Sequence, residues 1–534
     1  MLAFLASLAA WLGLGGHTFT VDTTLDAVDA NPGDGICARA VVGNSDGFTT
    51  PLGRCTLRAA VMEAEATWRL DTIVVPSGSY HLDLAPSSGG GRLSVTRSVR
   101  IQGAGADSTV IDQDRHDIII YVTGGDIEID NVTLQGGESQ SGGGLRIEGP
   151  AELSLTDSIV RASSAFTGGG GLLINTGATA TLRRVSVLDN VANGAFGGGL
   201  WNKGETWVYD STFANNVSNR AGAIRNEGNL NLRNVTISGN QANSPEAGTG
   251  GISQNGFAVL NNVTITGNTG VGNNPASFRG GGIQTTAGQL TVVKNSIIAG
   301  NTGGAGPNDC DGALTPDSKY NLIGDSDGCS VTSYVFTYAL DVSPGLGSLG
   351  SHGGPTLTQV PGFTSPALDA AYGFPPPAAD ACEPRDQRGV PRPQGTGHCD
   401  LGAVEVTPSN AFVTGFVLVN ADTNTDVRPL LHGDTLDLTA LPAHLSVRAV
   451  VSGFAGSVVF GLDGTPSFQV ENVSPWALGG DAPLGDYLPV AFTTGQHALV
   501  ATPFAGSSGS GAAGGSRSIT FRVAGLPFIA PHFP

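Results

Sequence analysis

The sequence predicts an all-β chain whose middle is a stack of short parallel strands, and three observations carry that reading. Glycine clusters precede an aliphatic residue at Leu145, Leu172, Leu200, Ile224, Ile252 and Ile283, in steps of 27, 28, 24, 28 and 31 residues. After each anchor comes a second segment with period-two alternation, such as Leu230, Leu232, Val235 and Ile237. No helical period runs through these units. A unit so short cannot bury a core alone, so the repeats must pile on one another, each adding aliphatic residues to a shared interior. Strand periodicity with glycine turns makes the pile a parallel β-helix. A propeller blade would need about forty residues and four antiparallel strands.

The elements follow in chain order. Residues 1–16, "MLAFLASLAAWLGLGG", form an apolar run of secretory-signal length, with no Lys or Arg ahead of it. The run is short for a membrane span. Next, "VDTTLDAVDANPGDG" places Asp22, Asp26, Asp29, Asn31 and Asp34 in one loop. Calcium takes hard oxygens from flexible loops, so this loop is a calcium candidate. The plainer alternative is that its Asx residues shape turns. "GDSDG", with Asp325 and Asp327, is a weaker candidate of the same kind.

"CTLRAAVMEA" then reads as one short amphipathic helix. Leu57, Ala60, Val61 and Ala64 share a side, and Arg58, Glu63 and Glu65 are expected on the opposite one. The end of a β-helix exposes its core and a row of unpaired backbone groups, so stacked folds need terminal caps. This helix is expected to be that cap, tied by Cys55 to Cys37. Irregular coils precede the repeat block from Asp71 or earlier, giving about a dozen coils in all at roughly this repeat length. Two rows of residues recur at fixed places. One holds Asn131, Asp157, Asp210, Asn234, Asn262 and Asn295; the other holds Asn190, Asn216, Asn240, Asn268 and Asn301. Stacked amides at turns can bond to one another, and Asn tolerates left-handed backbone. The structural ladder explains these residues better than glycosylation of the N-V-T and N-V-S sequons they create.

Composition bounds the rest. The chain has 534 residues, 40% hydrophobic and 13% charged, which suffices for a core. Its net charge of −19 repels nucleic acid. Lysine occurs only at positions 203, 294 and 319. Six cysteines fall into local pairs, Cys37 with Cys55, Cys310 with Cys329 and Cys382 with Cys399, and no spacing suggests zinc. Even, local pairs favour disulfides and an oxidising compartment. Residues 406–534 carry alternating strands such as "FVTGFVLVN", "HLSVRAVV" and "SITFRVAG" at regular spacing, which reads as a β-sandwich. Trp476 is expected in its core rather than on a ligand platform. "AGSSGSGAAGGS" reads as a flexible loop.

"DANPGDGIC", "CTLRAAVMEAEA" and "DTIVVPSGSYHL" together resemble the CSLREA motif found near the start of bacterial surface or secreted β-helix proteins. Further on, "NLIG", "GGPTLTQVPGFTSPALDAA", "DQRGVPRPQG" and "CDLGAVE" resemble the choice-of-anchor Q module. These matches run over residues 17–405. The resemblance implies a right-handed, pectin-lyase-like β-helix with caps over 17–405, in an extracellular or surface setting. Residues 406–534 are similar to immunoglobulin-like modules of bacterial extracellular proteins.

The fold also hosts polysaccharide lyases and glycoside hydrolases. Hydrolysis needs gathered carboxylates, and elimination needs a base beside a neutraliser of the uronate. No Asp-Asp pair, His-Gly or Arg-x-Lys stands in the coils, and no histidine lies between His116 and His352. Asp130, Arg183, Arg184 and Arg233 are the residues placed to line a groove. "DQRGVPRP", with Asp386, Arg388 and Arg392, is expected to form an ion-paired C-terminal cap. The favoured function is therefore non-catalytic: a rigid secreted rod that presents a repetitive face to a glycan, matrix or cell surface. A groove-acting lyase or hydrolase and a passive stalk are the alternatives.

Overall fold

The structure, a computed structural model, describes residues 16–37, 53–85, 91–194, 196–244, 248–270, 280–303, 306–331, 338–362, 365–371, 380–392, 398–406, 411–453, 455–504, 507–509 and 513–525. Apart from Gly16, the apolar segment 1–16 lies outside the described residues, as do residues 505–506 and 510–512 of the glycine- and serine-rich stretch. The chain divides into two compact units, residues 1–361 with 365–405, and residues 406–534 with 362–364.

The first unit is a parallel β-helix. One rung shows the path: Leu145–Ile147 in sheet I, Glu152–Thr156 and Ile159–Arg161 in the two limbs of sheet II, and Ser164–Gly168 in sheet III. Sheet I has ten strands, from Leu93–Val95 to Cys329–Val331, against the dozen coils the repeat length suggests. The shortfall arises because the last segment before residue 406 does not coil; the coils from Asp71 on have the ordinary length, Asp71 pairing with Val99 and Val99 with Ile127. The anchors Leu145, Leu172, Leu200, Ile224, Ile252 and Ile283 pair in register, each above the last. All six are fully buried in one core cluster. Each thus covers the aliphatic surface of its neighbours, and the core becomes a column rather than a sphere.

Two local devices hold this register. Sheet II bends at Asn131, Asp157, Arg184, Asp210, Asn234, Asn262 and Asn295, all with φ between 47° and 59°. Asn and Asp accept this left-handed backbone at low cost; Arg does not. Arg184 is held there by a two-pronged ion pair to Asp157 of the rung before, at 2.5 and 2.6 Å. The glycine clusters answer a different demand. A Cβ on Gly170 would lie 2.5 Å from the Gly198 carbonyl oxygen, so successive turns approach too closely for any side chain.

Inside the turn between sheets II and III runs a continuous amide ladder. The Nδ2 of Asn190, Asn216, Asn240 and Asn268 donates to Oδ1 of the next member, at 2.8–3.0 Å. Each backbone N–H of the row donates to that same oxygen. The second Nδ2 proton goes to a backbone carbonyl of the previous rung, as from Asn216 to Val187 at 2.9 Å. All five asparagines are buried, so these groups have no water to turn to. The ladder ends on Asp309, whose carboxylate accepts both donors of Asn301 at 2.7 Å. Burial pushes the Asp309 carboxyl above its ordinary range. A second buried run, Asn202 to Asn226 to Gln254 at 2.7 Å per step, lies behind sheet I and has no turn signature in the sequence.

The N-terminal end of the column is closed. The helix Leu57–Glu65 lays Leu57, Ala60, Val61 and Ala64 on the core, with Thr56 as N-cap accepting from the Ala59 N–H. Arg58 and Glu63, expected on the solvent side, are instead buried at 3% and 0% exposure. The preceding loop folds over that side. Arg58 makes a two-pronged pair with Asp26 at 2.7 and 2.8 Å, and Glu63 accepts the N–H groups of Gly33 and Gly35. Cys37 joins Cys55 beside them. Below the cap, Thr18–Thr20 forms the outermost parallel strand on Asp71–Val75. At the other end, Cys310 stacks on Ile283 and is bonded to Cys329, which packs partly buried against the core.

The second unit is a β-sandwich. Phe412–Asn420 centres a four-stranded sheet, and Gly495–Phe504 with Arg517–Ala524 centres a five-stranded one. Phe416, Leu418, Val447, Phe460 and Phe521 fill the space between them. Trp476 joins this core at 8% exposure.

Two outcomes follow. Asn240→Ala orphans the buried N–H and amide of Asn216, and each such loss costs about 1–3 kcal/mol. Urea unfolding should therefore register a drop of roughly twice that, while the half-exposed Asn231→Ala should change little. Arg58→Ala should destabilise by about 3–5 kcal/mol, the cost of leaving one partner of a buried pair alone. Light scattering should show aggregation of that variant before global unfolding, because the cap loosens first.

Candidate ligand-binding face

The residue after each glycine-anchored aliphatic points outward from sheet I. In register these are Ser94, Tyr121, Arg146, Leu173, Trp201, Arg225, Ser253 and Gln284, of which Leu173, Ser253 and Gln284 are buried. Rungs stack about 4.8 Å apart, so the row is a file along the β-helix. The Tyr121 ring lies under the guanidinium groups of Arg92 and Arg146, at 4.8 and 5.3 Å. Glu148 accepts from Arg146 at 2.7 Å and from the Asn175 amide at 2.7 Å. Three rungs on, Trp201 packs on Phe196 at 5.1 Å, with the Lys203 ammonium 4.9 Å from its ring. Its indole N–H donates to Glu227 at 3.2 Å. Arg225 covers Phe196 at 5.0 Å and bonds Glu227 and Ser253. Phe166 stands exposed on the neighbouring strand of sheet III.

This arrangement suits contact with polyhydroxylated surfaces. Cations brace the rings and cover part of them; the ring surface left open gives apolar contact, the carboxylates between the rings accept, and the guanidinium groups donate. The sequence carried a signal for it that periodicity reading passes over: the position one past each anchor is outward by strand alternation. Reading that column alone would have collected Arg146, Trp201 and Arg225.

The second limb of sheet II is closed to ligands over much of its length. The segment expected to cap the C-terminal end instead runs along the side of the β-helix as a strap. Thr212 donates to the Leu357 carbonyl, Thr236 to Gln387, and the Ala403 N–H to Thr264. The bend residues Asn234, Asn262 and Asn295 donate to the carbonyls of Arg385, Asp400 and Asp380. Asp380 pairs with Lys294 at 2.8 Å and Lys319 at 3.2 Å, and Glu383 with Arg233 at 3.3 Å. Ile297, Leu322, Ala367, Leu401 and the bonded Cys382 and Cys399 form a small apolar core beneath it. The strap lies sideways because the outward residues of these rungs, Thr212, Thr236, Thr264 and Ile297, are small or apolar and need cover.

Within the strap, Arg392 is wholly buried and donates to Glu405 at 2.9 Å, to the Asp400 and Gly402 carbonyls, and to Asn234. Asp386 accepts from Arg388 and from the Glu405 N–H. Burial pushes the Glu405 carboxyl up to about 7 despite Arg392 beside it. Asp210, bonded by Asn234, is raised for the same reason.

The other sequence candidates are placed as follows. Of the groove residues, Asp130 accepts from Asn131, Arg183 covers Tyr209 at 4.4 Å, Arg184 is paired to Asp157, and Arg233 meets the strap. In the acidic loop, Asp22 accepts the Cys55 N–H, Asp26 holds Arg58, Asp29 accepts the Ala30 N–H, and Asn31 donates to Asp34. Among the described residues, one group brings three metal-ligating side chains within 4.8 Å, namely His81, Asp112 and Asp114, and the loop carboxylates form no such group. Asp325 caps its own turn by accepting the Asp327 N–H. Among the described residues no helix is long and apolar enough to cross a membrane. No family model, curated protein or solved structure matches the chain.

The strap makes stability depend on pH. A carboxyl raised from 4.5 to about 7 on folding adds stability that is complete below 4.5 and is lost as pH rises through about 7. Thermal or urea unfolding of the intact chain should weaken by up to about 3 kcal/mol between pH 5 and 8 from this group, a figure set by roughly 1.4 kcal/mol per pKa unit. Glu405→Gln should flatten that slope, whatever it does to stability at one pH.

Proposed function

We propose that this protein is a rigid extracellular rod whose sheet I face adheres to a glycan-bearing surface or matrix. The observation that carries the reading is the file from Arg92 and Tyr121 to Trp201 and Arg225, with rings fixed by cations and polar groups between them. Three disulfides suit an oxidising environment. The resemblance of the cap to the CSLREA motif and of the strap to the choice-of-anchor Q module adds a surface setting.

The mechanism is multivalent. Each platform makes a shallow contact of modest strength. Continuous backbone pairing holds the platforms at fixed spacing, so that a second contact forms without new translational cost. A lyase or hydrolase has less in its favour. Of the carboxyls raised in the first unit, Asp309 and Glu405 are buried and engaged, and the partly exposed Asp210 is held by Asn234 and Arg183. None stands in the file on sheet I.

The test is retention of intact protein on immobilised matrix polysaccharides and on glycan-coated beads. Tyr121→Ala and Trp201→Ala should each reduce retention about tenfold, as loss of an aromatic anchor does, with the unfolding midpoint unchanged. Equal retention of both variants, or none by the parent on any surface, favours the passive stalk. Release of unsaturated or reducing ends from the same material would favour the enzyme.

A further inference from the structure

The β-sandwich holds a second concave site that the adhesive face does not use. A shallow, open depression of about 560 Å³ lies on the four-stranded sheet. Asn424, Asp426, Arg448, Pro475, Trp476 and Tyr487 line it. Its rim is assembled from two separate loops. Asn424 sits in a left-handed turn with φ of 56°; its side-chain Nδ2 donates to Asp486 at 3.0 Å, and its side-chain Oδ1 accepts the Tyr487 N–H at 2.9 Å. Asn424 thereby fixes Tyr487 against the sheet. The second loop is braced internally, with Asp481 accepting the Gly485 N–H at 2.6 Å. Across the depression Arg448 bonds Asp426 at 2.7 Å, and the Asp426 side chain stays 56% exposed.

The chemistry narrows the occupant. The Tyr487 ring supplies an apolar wall, and Pro475 extends it. Asp426 accepts hydrogen bonds, and Arg448 donates them. The Tyr487 hydroxyl is a donor at neutral pH, as any phenol is. Asp426, Asp481 and Asp486 outnumber Arg448, so an anionic ligand is repelled. A simple cation would gain the carboxylates but leave the aromatic wall unused. We infer that this depression binds a neutral saccharide, one pyranose face lying on Tyr487 and adjacent hydroxyls bridging Asp426 and Arg448. The inference does not rest on the sheet I reading.

Titration calorimetry of the intact chain with cello-, xylo-, manno- and chitotetraose tests it, with a galacturonate tetramer as the charged control. At least one neutral tetrasaccharide should bind. Tyr487→Ala should weaken that binding about tenfold or more, and Tyr487→Phe, which keeps the ring, should retain most of it. Asp426→Asn should weaken it too, while Tyr121→Ala and Trp201→Ala should leave it unchanged. Unfolding curves of each variant separate lost binding from lost fold. The inference is overturned if no neutral tetrasaccharide binds, if Tyr487→Ala binds as the parent does, if the galacturonate tetramer binds more tightly, or if only the sheet I variants lose binding. That last outcome would leave the adhesive face standing.

Discussion

Everything in the first unit depends on like side chains lying above like. Parallel pairing sets the rise of one rung, but it does not by itself fix the lateral register. Here the register is fixed three times over. The left-handed bends turn the chain at the same point of each rung. The glycine turns let backbone meet backbone where a Cβ would collide. The amide ladder then ties each rung to the next with donors that have no alternative partner. A slip of one residue would swap buried for outward side chains along a whole rung, and would also strand the ladder. The fold is therefore cooperative along its length although each rung touches only its neighbours.

That register also explains how a surface with few charges becomes organised. Residues far apart in sequence are brought into a file simply because they share a place in the repeat. Tyr121 and Trp201 are eighty positions apart, yet only three rungs separate them. The same logic makes the strap possible. It reads a column of small hydroxyl residues on one side and a column of cations on the other, and it answers both with Gln387, Asp380 and Glu383. Two of the three lysines in the chain meet at Asp380. What reads as an unusual scarcity of lysine in the composition thus hides a local concentration.

The repeat was legible because its signals are local and periodic. Glycine clusters, aliphatic anchors and turn asparagines each reflect a backbone requirement that the residue type announces. The capping helix was legible for the same reason, down to the face it lays on Ile73 and its neighbours. The partners of its other face were not. Arg58 and Glu63 look like solvent-facing residues because charge is usually exposed, and only the fold of the distant loop bearing Asp26, Gly33 and Gly35 buries them. The lateral course of the strap was hidden likewise, since its contacts span well over a hundred residues, as from Thr212 to Leu357. The Asn202, Asn226 and Gln254 run was missed because no turn chemistry marks it. The sheet I file lay in plain sight, one position past each anchor, but aromatic and charged residues at single places do not draw the eye as a period does.

The amide ladder has a direction. Every rung passes its protons the same way, toward the C-terminal end, and the series stops at an aspartate that can only receive. Such a chain behaves like a sentence with a full stop. A whole unit copied between Asn190 and Thr212 would find a giver on one side and a taker on the other, whereas one copied farther on would shift the rungs that the strap grips. Length is thus free to vary in evolution by duplication of complete rungs, while Asp309 and the helix at Leu57 stay where they are.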